Sequence, residues 1–198
     1  MASRQIKPVA LVCAASIALV ACASQGALKT KPIVPTPPTP VVIGPNRNAT
    51  VAQADSAWQA GAFPLATEMY EAILARDPSS HIAMFRLATL RSWDNRFDEA
   101  IALFRRYVAV EPNYSEGRLA LARVIAWSGD FSSSIAIYDS VLTREPNRFQ
   151  ATVGAARAAQ LAGDHGRAAD YYRRVVDLAA ESDPPRPELA MARRYLAR

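Results

Sequence analysis

Pro78, Pro112 and Pro146 stand 34 residues apart, each inside a similar phrase: Arg76-Asp77-Pro78-Ser79, Val110-Glu111-Pro112-Asn113 and Arg144-Glu145-Pro146-Asn147. Other columns keep the same period. Gly61, Asn95, Gly129 and Gly163 align, and so do Phe63, Phe97, Phe131 and His165. Ala66, Ala100, Ser134 and Ala168 form a small-residue column, and Tyr70, Phe104, Tyr138 and Tyr172 an aromatic one. A fixed period of this length means stacked copies of one supersecondary unit, none of which can bury its apolar face alone.

Small, aromatic and proline positions in this register resemble the tetratricopeptide repeat (TPR) family, whose unit is a helix-turn-helix. The resemblance implies an all-α fold: a TPR solenoid of about four helix-turn-helix repeats plus a C-terminal capping helix. Each column has a physical reason. Small residues let two helices approach closely, and the neighbouring aromatics fill the space between repeats. Gly61, Asn95, Gly129 and Gly163 suit the turn within a repeat, where a left-handed residue is often needed. Each proline closes one unit at a place where a missing N–H costs little.

The pattern predicts helix pairs at about 50–60 with 64–76, 81–93 with 97–110, 115–128 with 131–144, and 149–162 with 165–181. Thr50-Val51-Ala52-Gln53 reads as a capping box that starts the first. The repeats are expected over 48–182. At the C-terminal end Ala180 stands where the period predicts proline, and Pro184-Pro185-Arg186-Pro187 interrupts instead. In the capping segment 183–198, Glu188 to Ala197 then reads as one further helix with Leu189, Ala192 and Leu196 on one side, closing an exposed repeat face.

The beginning of the chain is of another kind. Arg4 and Lys7 precede an apolar stretch from Val9 to Ala21, the pattern of a secretory signal peptide, and too short for a membrane-spanning helix. Leu19-Val20-Ala21-Cys22 resembles the bacterial lipobox. The resemblance implies cleavage after residue 21, loss of Cys13 with the signal, and lipid on Cys22; an ordinary signal peptide is the alternative. Ala23 rather than Asp after that cysteine implies the outer membrane, lipid-anchored and facing the periplasm. Residues 23–47 hold Lys31-Pro32-Ile33-Val34-Pro35-Thr36-Pro37-Pro38-Thr39-Pro40 and read as a polyproline tether. At about 3.1 Å per residue, its reach is on the order of 75 Å.

Composition removes several classes of function. The 198 residues hold two Cys and two His, so a structural zinc centre would need all four of them, which nearly excludes one, and at most one disulfide could form. The net charge of +5 falls to +3 when Arg4 and Lys7 leave with the signal, and the implied address argues against nucleic acid. No phosphate-binding glycine loop or nucleophile elbow occurs. His165 falls in a Phe column and reads as packed or capping, and His81 as a surface residue. Asp98-Glu99 fits the first turn of a helix. An enzyme is not expected, and no cofactor is expected beyond covalent lipid on Cys22.

What remains is a surface. In the family the first helix of each repeat lines the concave groove. One groove column would run Thr89, Arg123, Arg157 and another Trp93, Trp127, Leu161, with Phe85, Leu119 and Val153 as an apolar strip. Indole faces supply contact area and arginine supplies bidentate carboxylate contacts, which suits an extended protein partner. A polysaccharide stacked on the indoles is the second reading, and Trp93 and Trp127 packed between repeats beside Ala88 and Ala122 the third. The doublets Arg105-Arg106 and Arg173-Arg174 are expected on a solvated outer face. Leu121-Ala122-Arg123-Val124-Ile125-Ala126-Trp127-Ser128-Gly129 is similar to repeats of exopolysaccharide-export proteins. That likeness implies an adaptor bound to envelope proteins; pilotins of pili and outer-membrane-protein assembly factors are similar lipoproteins.

Overall fold

The computed structural model describes residues 48–180 and 186–197. The expected signal peptide, Cys22 and the tether lie outside the described residues. Nine α-helices and no strand occur among the described residues. They are α1 (Val51–Gln59), α2 (Phe63–Arg76), α3 (His81–Trp93), α4 (Phe97–Val110), α5 (Ser115–Trp127), α6 (Phe131–Arg144), α7 (Phe149–Leu161), α8 (His165–Ala179) and α9 (Pro187–Leu196). Each helix packs on the next, and α5 also touches α7. That is the signature of stacked helix hairpins, whose odd-numbered helices meet across the repeats. None of these helices is long and apolar enough to cross a membrane.

The columns do what their chemistry predicts. Ala66, Ala100, Ser134 and Ala168 are wholly buried, and Tyr70, Phe104, Tyr138 and Tyr172 are buried beside them. Gly61, Gly129 and Gly163 take positive φ values of 73°, 94° and 76°, and Asn95 takes 59° as the one non-glycine residue of that kind among the described residues. The left-handed turn lets the chain reverse within three residues. The Thr50–Gln53 capping box is formed in both directions, while Asp130 and Asp164 cap α6 and α8 by accepting from Ser133 N and Arg167 N, each at 3.0 Å.

Two expectations need correction, and a third needs an addition. On α9 the buried side is Leu189 and Ala192, joined by half-buried Met191 and Tyr195, whose ring lies 4.6 Å from that of Tyr172. Leu196 is exposed, because Tyr195 rather than Leu196 reaches α8. His165 is exposed and is neither packed nor the cap: Asp164 caps the helix, and His165 Nδ1 meets the Tyr195 hydroxyl at 3.1 Å. The arginine doublets are exposed as expected, but three of the four side chains are also engaged, Arg173 with Asp170 of its own helix at 2.5 Å. Arg106 and Arg174 donate to the carbonyls of Pro78 (2.7 Å) and Pro146 (2.9 Å), tying a second helix to the turn that closed the preceding repeat.

Candidate functional site

A groove of about 510 Å³ opens on the side of α5 and α7. Its walls are built by a helical rule. Leu119, Arg123 and Trp127 recur at intervals of four on α5, as do Val153, Arg157 and Leu161 on α7, so each triplet faces one way. Phe85 of α3 closes one end, and Arg186 and Glu188 at the start of α9 close the other. The floor is Tyr138 of α6, which reaches past Gly154.

Charge in the groove is uneven. Three arginines and two glutamates line it. Glu116 is bound to Arg148, a residue outside the lining, and Arg186 lies over the Phe149 ring with its guanidinium carbon 4.4 Å from the centroid. Arg123 has the same relation to Trp127, at 5.8 Å. Neither Arg123 nor Arg157 has a carboxylate partner among the described residues. Burial raises the Tyr138 phenol above its ordinary pKa, with Arg123 and Arg157 pulling it the other way. At neutral pH it is therefore a protonated donor beside two cations that lack carboxylate partners among the described residues.

Of the residues expected in the groove, Phe85, Leu119, Arg123, Trp127 and Arg157 come together there, with Val153 and Leu161. Thr89 and Trp93 do not line it. The Thr89 hydroxyl donates to Phe85 O of its own helix at 2.8 Å. Trp93 is half-exposed, but its ring sits 5.0 Å from Trp58 and 5.3 Å from Phe63, in a separate aromatic cluster that Arg86 covers. The column diverges because α1 supplies Trp58 there, whereas the position 34 residues on is Ser92, and Trp127 has no ring-to-ring contact among the described residues. Tyr138 was hidden from sequence reasoning by its place in the aromatic core column. Arg186 and Glu188 lie outside the repeat register, which left no periodic signal to find them. Among the described residues no three or more His, Cys, Asp or Glu side chains are arranged to hold a metal.

Helix hairpins stacked around a solvent-open concave surface define a class, the helical-repeat interaction scaffold. Two tetratricopeptide-repeat family models match, over residues 51–115 and 93–159, and together span more than half of the chain. The chain belongs to the tetratricopeptide repeat family. No curated protein matches it. Among solved structures it is similar to a "Crystal structure of MamA" (TM-score 0.63, 18% identity, 69% of this chain and 80% of that one). It is also similar to "MamA MSR-1 C2" (0.59, 20%, 64% and 72%). A third is YrrB, described as "a TPR protein with an unusual peptide-binding site" (0.58, 12%, 73% and 75%). At these identities the likeness is one of fold.

Proposed function

We propose that this protein is a periplasm-facing, outer-membrane lipoprotein whose TPR solenoid is an adaptor for an envelope complex, exopolysaccharide export or a similar machine. Its mechanism is binding. Lipid on Cys22 would concentrate it at the membrane, the proline-rich segment would give reach, and the groove of α5 and α7 would take an extended segment of a protein partner. The observation that carries the reading is one groove holding an apolar strip, the half-exposed Trp127 and two arginines without carboxylate partners. The peptide-binding description of YrrB agrees with it.

A glycan reading drew on both indoles standing on one face. Both indoles are half-exposed, as that reading requires, but Trp93 stands with Trp58 and Phe63 outside the groove, so the protein partner is preferred for the groove itself.

Two experiments test the proposal. Cys22→Ala should move the protein from the membrane to the soluble periplasmic fraction, and unchanged fractionation refutes the anchor. A photo-crosslinking residue at Leu161, on the groove rim, should capture an envelope protein in intact cells, and Arg123→Glu with Arg157→Glu should abolish the capture. Capture that survives the double substitution refutes the groove.

A further inference from the structure

Comparison of the repeats with one another says what belongs in the groove. In the first repeat Asp55 of α1 is the hub of a three-residue arrangement. It accepts from the Tyr70 hydroxyl at 2.5 Å and pairs with Arg86 of α3 at 3.2 Å. Asp55, Thr89, Arg123 and Arg157 occupy one repeat position, and Ala52, Arg86, Ala120 and Gly154 another. At the third repeat the tyrosine is retained as Tyr138, but arginine replaces the aspartate and glycine replaces the arginine of the next repeat. A cation now stands in the aspartate's place, Arg123 on α5, and the anion is gone.

Tyr138 is thereby left without the partner that its counterparts have. The Tyr70 hydroxyl has Asp55, and the Tyr172 hydroxyl donates to Gln160 Oε1 at 2.6 Å. Phe104 has no hydroxyl to satisfy. The Tyr138 hydroxyl has no hydrogen bond among the described residues, although the rest of the side chain is buried. Gly154 holds the space open: any Cβ there would come within 2.7 Å of the hydroxyl.

We propose that this subsite takes the side-chain carboxylate of an Asp or Glu in the partner segment, seated between Arg123 and Arg157 and accepting from the Tyr138 hydroxyl, where Asp55 serves the first repeat from within. The inference rests on the groove reading and names the group that the groove selects. Leu119, Val153 and Trp127 beside it add apolar surface, which a bound segment would cover and which would then strengthen charge-assisted hydrogen bonds. Neither groove glutamate occupies it among the described residues: Arg148 holds Glu116, and Glu188 makes no ion pair with Arg123 or Arg157. A side chain is favoured over a chain terminus because the internal template, Asp55, is a side chain.

The test uses the full chain in detergent and a randomised library of peptides acetylated at the N-terminus and amidated at the C-terminus. Selection should enrich Asp and Glu over Asn and Gln at one position, with affinities differing by about tenfold. Tyr138→Phe, which copies the Phe104 of the second repeat, should weaken acidic peptides several-fold while leaving thermal unfolding nearly unchanged. Arg123→Asp should abolish acidic-peptide binding, because it supplies Tyr138 with a carboxylate in cis, and should raise the phenol pKa of Tyr138 further. Equal enrichment of neutral peptides overturns the carboxylate subsite while in-cell crosslinking continues to support the groove. Binding restricted to peptides with a free C-terminus, or to a polyuronate such as polyguluronate, also overturns it. Loss of all peptide binding together with loss of crosslinking overturns both readings.

Discussion

Gly154 and Tyr138 share one volume: a Cβ on Gly154 would lie 2.3 Å from Cζ of the tyrosine ring. The glycine is therefore a packing requirement in the middle of α7, where its own helix propensity is unfavourable. Gly154→Ala should push Tyr138 out of the groove floor and destabilise the fold by about 1–3 kcal/mol through overpacking. Gly166, on α8, has only a contact of 3.8 Å to Asp164. Gly166→Ala should instead stabilise by about 0.5–1 kcal/mol, since nothing opposes the gain in helix propensity. Chemical denaturation of both variants decides, and equal effects would remove the packing argument.

The turn column gives a cleaner backbone test, because a Cβ at Gly61, Gly129 or Gly163 meets nothing within 4 Å. Any cost of substitution there is conformational. Gly129→Ala should destabilise by about 1 kcal/mol. Asn95→Gly, at φ 59°, should be nearly neutral, as asparagine already tolerates that region. Opposite signs in the thermal melts would overturn this account of the column.

Arg91 is buried on α3 between Glu71 of α2 and Glu99 of α4, with Glu99 at 3.3 Å. Both carboxylates remain well exposed, so neither is orphaned when a partner leaves. Glu71→Gln should cost less than about 1 kcal/mol. Arg91→Ala removes the stem that fills the gap between three helices, and should cost about 2 kcal/mol or more, with Arg91→Met recovering much of it. Equal losses for Arg91→Met and Arg91→Ala would show that charge, not packing, is what Arg91 supplies.

Stability should fall at alkaline pH. Tyr70 is raised above the usual phenol range by burial first and by its hydrogen bond to Asp55 second; burial likewise raises Tyr107, Tyr138, Tyr171 and Tyr172. A phenol with a raised folded pKa contributes stability fully below its unfolded value, near pH 10, and loses it as pH rises further. The loss should therefore begin above about pH 10, accompanied by cooperative tyrosinate absorbance. Tyr70→Phe should make the alkaline decline shallower. At the acid end the sign reverses. Asp77 and Asp130 are held below the usual carboxylate range by hydrogen bonds from Ser79 and Ser133, so their contribution is lost as pH falls through their folded values. Asp130→Ala should flatten that limb.

Helix boundaries were legible to within two residues from periodicity alone. The reason is local: a left-handed turn residue, a following cap and a proline after the helix each act over a few neighbouring residues. The groove was legible only in part. Arg123, Trp127 and Arg157 follow from helical spacing, but Thr89 and Trp93 stand in the same columns and lie elsewhere. Their neighbours differ, and neighbours come from other repeats. Tyr138 shows the same limit from the other side, as a core position by register and a groove floor by contact.

The amino-acid sequence by itself determined the unit, its period, its turns and the family to which it belongs, because each of those rests on local sterics repeated every 34 residues. Tertiary structure decided which members of a column share a surface. Repeat positions are equivalent along the chain, but each is finished by side chains from adjacent helices: Asp55 between Tyr70 and Arg86, Trp93 against Trp58 and Phe63, Arg123 and Arg157 beside an unpartnered Tyr138. A side chain's partners are set by packing between repeats, which a single column does not encode.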